Sequence, residues 1–133
     1  MKYLLDINAL IALGHTSHVH HHRMLRWYQS VVKTAISLHT CSICELGFVR
    51  IAVQANLQID VSSSRNALAQ LKDSSKIPFI LLADDLGADR LPKYANAPSK
   101  LTDGHLLELA RQHGVELATL DTGIPGAFLI PAD

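Results

Sequence analysis

The chain has 133 residues, the size of one domain, and is large enough to bury a core without disulfides or structural metals. Twelve basic residues balance twelve acidic ones, which excludes a global field drawing the protein onto nucleic acid or an anionic membrane. Apolar residues make up 48% and charged residues 18%, a globular composition that excludes a disordered or low-complexity chain and predicts a single domain over residues 1–133.

"KYLLD" predicts a short strand that stops at Asp6, and "INALIALG" a short helix closed by Gly14. Met24, Leu25, Tyr28, Val31 and Val32 form an apolar stripe within a second helix predicted from about His18 to Ala35. "AISLHT" reads as a strand, and "SICELGFVRIAVQAN" as a helix in which Ser42 and Glu45 have capping-box spacing. "SSSRNALAQLKDSS" predicts a serine-capped helix, and "IPFILLADD" a buried strand ending in Asp84 and Asp85. Beyond a loop with Pro92 and Pro98, "TDGHLLELARQHG" predicts an amphipathic helix ended by Gly114, "VELATLD" a strand ended by an acid, and "GAFLI" a last strand. Alternating strands and helices imply right-handed βαβ units. The expected fold is α/β, a three-layer α/β/α sandwich with a mostly parallel central sheet, whose ligands lie beyond the carboxyl ends of the strands.

Four acids map to that edge. Asp6 closes the first strand, Glu45 opens the third helix, Asp103 opens the helix after the proline loop, and Asp121 closes the strand after it. Each also has a local structural reading: Asp6 as an N-cap, Glu45 as half of a capping box, Asp103 as a dipole partner, and Asp121 in a turn with Thr122 and Gly123. If they converge, each close pair repels by about 4 kcal/mol at an effective dielectric of about 20, and a cation must offset that. Hard oxygen ligands suit Mg²⁺ or Mn²⁺, whose chemistry on a phosphodiester is hydrolysis by a bound water.

These residues resemble the PIN-domain nucleases, and within them the VapC-type toxins of toxin-antitoxin pairs. "LLDINALIAL" is similar to the family's first motif, "CSICELGFVRIA" to its Glu-bearing helix, "LTDGHLLELARQHG" to its T-D-x-x-L-x-x-L-A helix and "LATLD" to its strand end. The resemblance implies a cytoplasmic endoribonuclease in which Asp6, Glu45, Asp103 and Asp121 hold Mg²⁺ or Mn²⁺, with Asn8 and Thr119 in support. It further implies internal cuts in RNA that leave a 5′-phosphate, a homodimer, and a cognate antitoxin that inserts a basic side chain among the acids. Gly104, where the family commonly has a bulkier residue, implies a looser helix start.

Arg23, Arg26 and Arg50, with Lys33, are candidate phosphate contacts for single-stranded RNA. The stretch "HTSHVHHH" puts five histidines at positions 15, 18, 20, 21 and 22. No Glu follows them in the zinc-helix pattern, so a metal site there would need Cys41 and Cys44 in a Cys₂His₂ set. The alternative is a loop and first helical turn, with His21 on the apolar stripe. "CSIC" has thioredoxin-like placement, but Glu45 beside Cys44 disfavours a thiolate, and helix packing is expected instead. Two other functions compete with the nuclease: a non-catalytic PIN-like module that binds RNA or protein, and a phosphatase with Asp6 as nucleophile, which would want an acid where Asn8 stands. No apolar run reaches a membrane span, and Asp6 and Asn8 interrupt the first apolar segment, so no membrane association is expected.

Overall fold

Five short strands form the centre of the molecule in a computed structural model that describes residues 1–132. They are β1 (Lys2–Leu5), β2 (Ser37–Thr40), β3 (Phe79–Leu81), β4 (Glu116–Thr119) and β5 (Phe128–Leu129). All pairs are parallel, in the order β3-β2-β1-β4-β5, with Tyr3 opposite both Leu38 and Glu116. Tyr3, Leu4 and Leu5 are all buried although their side chains alternate, so both faces of β1 are covered.

The helices are α1 (Ile7–Gly14), α2 (His21–Val31), α3 (Ser42–Gln54), α4 (Val61–Ser74) and α5 (Leu101–Gln112). The chain steps outward from β1 to β2 to β3, then jumps back over both to β4. Right-handed crossovers therefore put α1 to α4 on one face and α5 on the other, which gives the expected three layers. α3 packs on both α1 and α4. Around β1 the core gathers Leu4, Leu5, Leu10, Leu38, Phe48, Leu106 and Leu117, all fully buried or nearly so. Trp27 meets Tyr3 edge-on with ring centroids 5.1 Å apart, which fixes α2 against the sheet.

Several local expectations are corrected. α2 begins at His21, not His18, and ends at Val31, because residues 16–20 form turns over the end of α1. Asp60, not serine, caps α4: its Oδ1 accepts from the Ser63 amide, and Ser63 Oγ accepts from the Asp60 amide. Ser42 and Glu45 form no capping box. Cys41 is the residue in N-cap conformation, so Glu45 lies one position beyond the place that reaches back to the cap amide. β3 is an edge strand with Ile80 and Leu81 exposed, not a buried one, since nothing pairs beyond it.

Gly104 reverses another expectation. A Cβ built there would lie 2.5 Å from Cβ of Ala95, so the glycine lets the proline loop seat directly on the start of α5. That start is tightly packed, not loose. In an ordinary helix interior Gly→Ala gains about 1 kcal/mol. Here Gly104→Ala is expected to cost about 1–2 kcal/mol through the clash, and Ala95→Gly in the same chain to recover much of it, as read by urea denaturation.

Candidate active site

The end of β1 is built around Asp6. Its backbone is extended, its amide continues the ladder by donating to the Ala118 carbonyl, and its side chain starts α1 by accepting from the Ala9 amide at 2.8 Å. The residue is only 5% exposed. On the neighbouring strand end, Thr119 Oγ1 donates to Asp6 Oδ2 at 2.5 Å and accepts from the Asp121 amide at 3.0 Å. One buried hydroxyl therefore ties two of the expected acids together. The parallel register, with Leu5 opposite Ala118, brings Thr119 to that place.

Burial, and then the charges of Asp103 and Asp121, push the Asp6 carboxyl up to about 6 against the lowering effect of its Thr119 and Ala9 hydrogen bonds. Asp103, in the first turn of α5, is likewise raised by burial and then by Asp121. The charged neighbours pressing on Asp6 are thus carboxylates. Asp121 is exposed, and its Oδ1 accepts from the Gly123 amide in a local turn. For Asp6 and Asp121 the local structural readings hold together with the convergence. Among the described residues, no three His, Cys, Asp or Glu side chains are drawn close enough to grip an ion as they stand.

Glu45 is engaged elsewhere. Its Oε2 accepts from both Thr40 Oγ1 and Lys72 Nζ, each at 2.5 Å, at one end of a groove between α3 and α4. The structure brings Asp6, Asp103 and Asp121 into mutual electrostatic reach and leaves Glu45 paired with a lysine. Tyr94, missed in the sequence, also belongs here: burial and then the charges of Asp103 and Asp121 raise its hydroxyl. Its only sequence signal is an aromatic residue inside the proline loop.

Asn8 is exposed and lines a cleft of about 410 Å³ with His18, Val19, His20, Leu120 and Asp121. The histidine cluster divides by role. Nδ1 of His15 and of His21 donate, each at 2.8 Å, to the carbonyls of Ile11 and Ala12, two of the acceptors that the end of α1 leaves without helical partners. His18 Nδ1 accepts from the His20 amide, and burial followed by the neighbouring histidines holds its pKa below the ordinary value. Both thiols are buried, 3.6 Å apart, and Cys44 donates to the Leu5 carbonyl. Arg23, an expected phosphate contact, instead donates to the carbonyls of Ile130 and Pro131 and ties α2 to the chain beyond β5. Arg26 lies exposed on α2, and Arg50 lies exposed beside the α3–α4 groove.

The burial of Asp6 has a pH signature. An unfolded aspartate releases its proton near 3.8 and folded Asp6 near 6, so between those values the folded state holds a proton that the unfolded state has lost. Stability contributed by this group is present below pH 4 and lost as pH rises through 6. The loss is on the order of 3 kcal/mol. Without metal, Asp6→Asn is expected to be more stable than the parent at pH 7.5, with the gap closing towards pH 4 in chemical denaturation.

Known proteins resemble this chain in sequence and in fold. Ribonuclease VapC38 of Mycobacterium tuberculosis is 36% identical over 91% of this chain and 86% of its own length. In fold the chain is similar to VapC20 of the same organism, a sarcin-ricin loop cleaving toxin, with a TM-score of 0.62 at 12% identity over 89% of this chain and 87% of that one. It is also similar to a chain of the VapBC2 complex of Rickettsia felis bound to a promoter DNA fragment, with a TM-score of 0.60 at 14% identity over 97% of each chain. The PIN domain family model matches residues 3–127, and the chain therefore belongs to the PIN-domain family.

Proposed function

We propose that the protein is a metal-dependent endoribonuclease, the toxin of a type II toxin-antitoxin pair, and that it cuts single-stranded RNA at the edge formed by Asp6, Asp103 and Asp121. The observation that carries this reading is the burial of Asp6 against two further carboxylates, a cost the fold bears with no cation among the charges that act on it. Oxygen donors on three elements suit Mg²⁺ or Mn²⁺. When bound, such an ion supplies charge to the phosphate and acidifies a water for attack.

The protein's own groups do the positioning. Asp6 is held on one oxygen by the Ala9 amide and on the other by Thr119, so its remaining lone pairs have a fixed direction. Thr119 also restrains the backbone of Asp121, which keeps the two acids at a set spacing. Asp103 approaches from α5, whose start is pinned by Ala95 on Gly104. The cleft of Asn8, His18 and His20 receives the strand beside Asp121, and Arg26 and Arg50 contact its phosphates. Glu45 completes the acid set, with Lys72 as its ion-pair partner.

The α3–α4 groove, about 890 Å³ and walled by Leu46, Val49, Val61 and Leu68, fits an apolar segment of the antitoxin. Leu46 and Val61 are exposed there. From that groove a basic antitoxin side chain reaches the acids and replaces the cation's charge. A homodimer and action in the cytoplasm belong to the same reading. No helix among the described residues is long and apolar enough to cross a membrane.

Purified protein incubated with single-stranded RNA is expected to make internal cuts bearing 5′-phosphates only with Mg²⁺ or Mn²⁺, and to stop when chelator is added. Asp6→Asn and Asp103→Asn are each expected to slow cutting by about two orders of magnitude or more. Cleavage that persists in chelator, or variants as active as the parent, would contradict the mechanism. RNA bound but never cut would leave the binding-module alternative.

A further inference from the structure

The cleft beside Asp121 is walled by Asn8, His18, Val19, His20 and Leu120 as well as by that acid, and encloses about 410 Å³. Val19 is 84% exposed although apolar, and His20 is exposed beside it. The turn that carries them is firmly held. The His18 amide donates to the His15 carbonyl and the His21 amide to the His18 carbonyl, while the His15 and His21 rings tie the turn to the end of α1. The His18 ring is fixed in the same turn: its Nδ1 accepts from the His20 amide at 3.0 Å, which leaves the proton of the neutral ring on Nε2. The His18 and His20 ring centroids lie 5.8 Å apart with planes tilted by 42°, so the rings do not stack on one another. A platform is in place before any ligand arrives.

Among the described residues no lysine or arginine lines this cleft, and Asp121 is part of its wall, so a phosphate seated there would meet a carboxylate with no cation beside it. A flat, uncharged ring instead suits the imidazole faces, Val19 and Leu120, and the exposed Asn8 amide offers both a donor and an acceptor to its polar edge. We propose that the cleft seats one unpaired nucleobase of the RNA, next to the phosphate cut at the aspartates, with the base stacked on His18 and its edge at Asn8. This deepens the nuclease reading above and rests on it for the place of the cut. A paired base is held between its neighbours in the duplex and cannot enter, so the seat selects single strands. Stacking tolerates any base, so the selection is for unpaired nucleotides and not for one sequence.

Nuclear magnetic resonance of the histidine rings, in untagged protein with chelator present, reads the seat without metal or cutting. Adenosine is expected to shift the ring protons of His18 and His20 upfield in a saturable way and to leave those of His15 and His21 in place; ribose 5-phosphate is expected to move none of them. His18→Ala is expected to weaken adenosine binding about fivefold or more and to raise KM for single-stranded RNA to the same extent, with kcat within about twofold, and His18→Phe to recover most of both losses. Both variants lose the bond from the His20 amide, so a ring whose only task is to brace the turn would leave Phe as weak as Ala. The adenosine titration of the parent stands even if a variant fails to fold. Ribose 5-phosphate acting as strongly as adenosine, no adenosine shift at His18, or His18→Phe no better than His18→Ala would overturn the base seat, and cutting with Mn²⁺ by that same protein would leave the nuclease intact. A parent that shifts with adenosine but cuts no RNA with Mn²⁺ would instead sink the nuclease, and with it the place of the seat beside a cut.

Discussion

A carboxylate is buried where β1 ends, and much of the surrounding structure serves to hold it there. Asp6 caps α1 through one oxygen and takes the Thr119 hydroxyl on the other, so its position is fixed by a strand, a helix and a neighbouring strand together. Those bonds favour the charged form, but burial and two nearby aspartates disfavour it more strongly. The result is a group whose ionisation costs free energy in the folded protein, a cost that a nearby positive charge would offset. Electrostatic strain of this kind, held in place by hydrogen bonds that also cap α1 and anchor the backbone of Asp121, marks a candidate functional site.

The edge is uneven. On the β4 side, Asp121 and Asp103 add negative charge around Asp6, and the same two charges act on the Tyr94 hydroxyl of the proline loop. On the β2 side, Glu45 already has a lysine. That asymmetry gives the two flanks different tasks. The aspartate side repels itself, while the glutamate side is neutralised and continuous with an apolar groove.

The histidines show how a conspicuous composition resolves into ordinary backbone chemistry. An α-helix of eight residues leaves half its carbonyls without partners, and α1 ends under a turn instead of in water. His15 and His21 answer that need from either side of the turn, and the His15 ring also packs on Phe48 at 5.0 Å. His18 and His20 remain beside the cleft near Asp121, where they face substrate in the nuclease reading.

Sequence alone determined the order and kind of the elements, because apolar periodicity and terminating acids are local signals; it also mapped Asp6, Glu45, Asp103 and Asp121 to the carboxyl edge, because in a parallel sheet every strand ends, and every following helix starts, there. Thr119 was legible only through the resemblance of "LATLD" to the family's strand end. Helix ends were less so: a one-residue shift of the cap to Cys41 removed the Ser42–Glu45 box, and Asp60 displaced the serines as cap of α4. Only the tertiary structure decided that β3 lies at the sheet's edge, that Arg23 is tied to backbone carbonyls, that Ala95 seats on Gly104, and that Lys72 lies against Glu45. Each of these depends on a contact between residues far apart in the chain, and no spacing within the sequence encodes which distant side chain arrives.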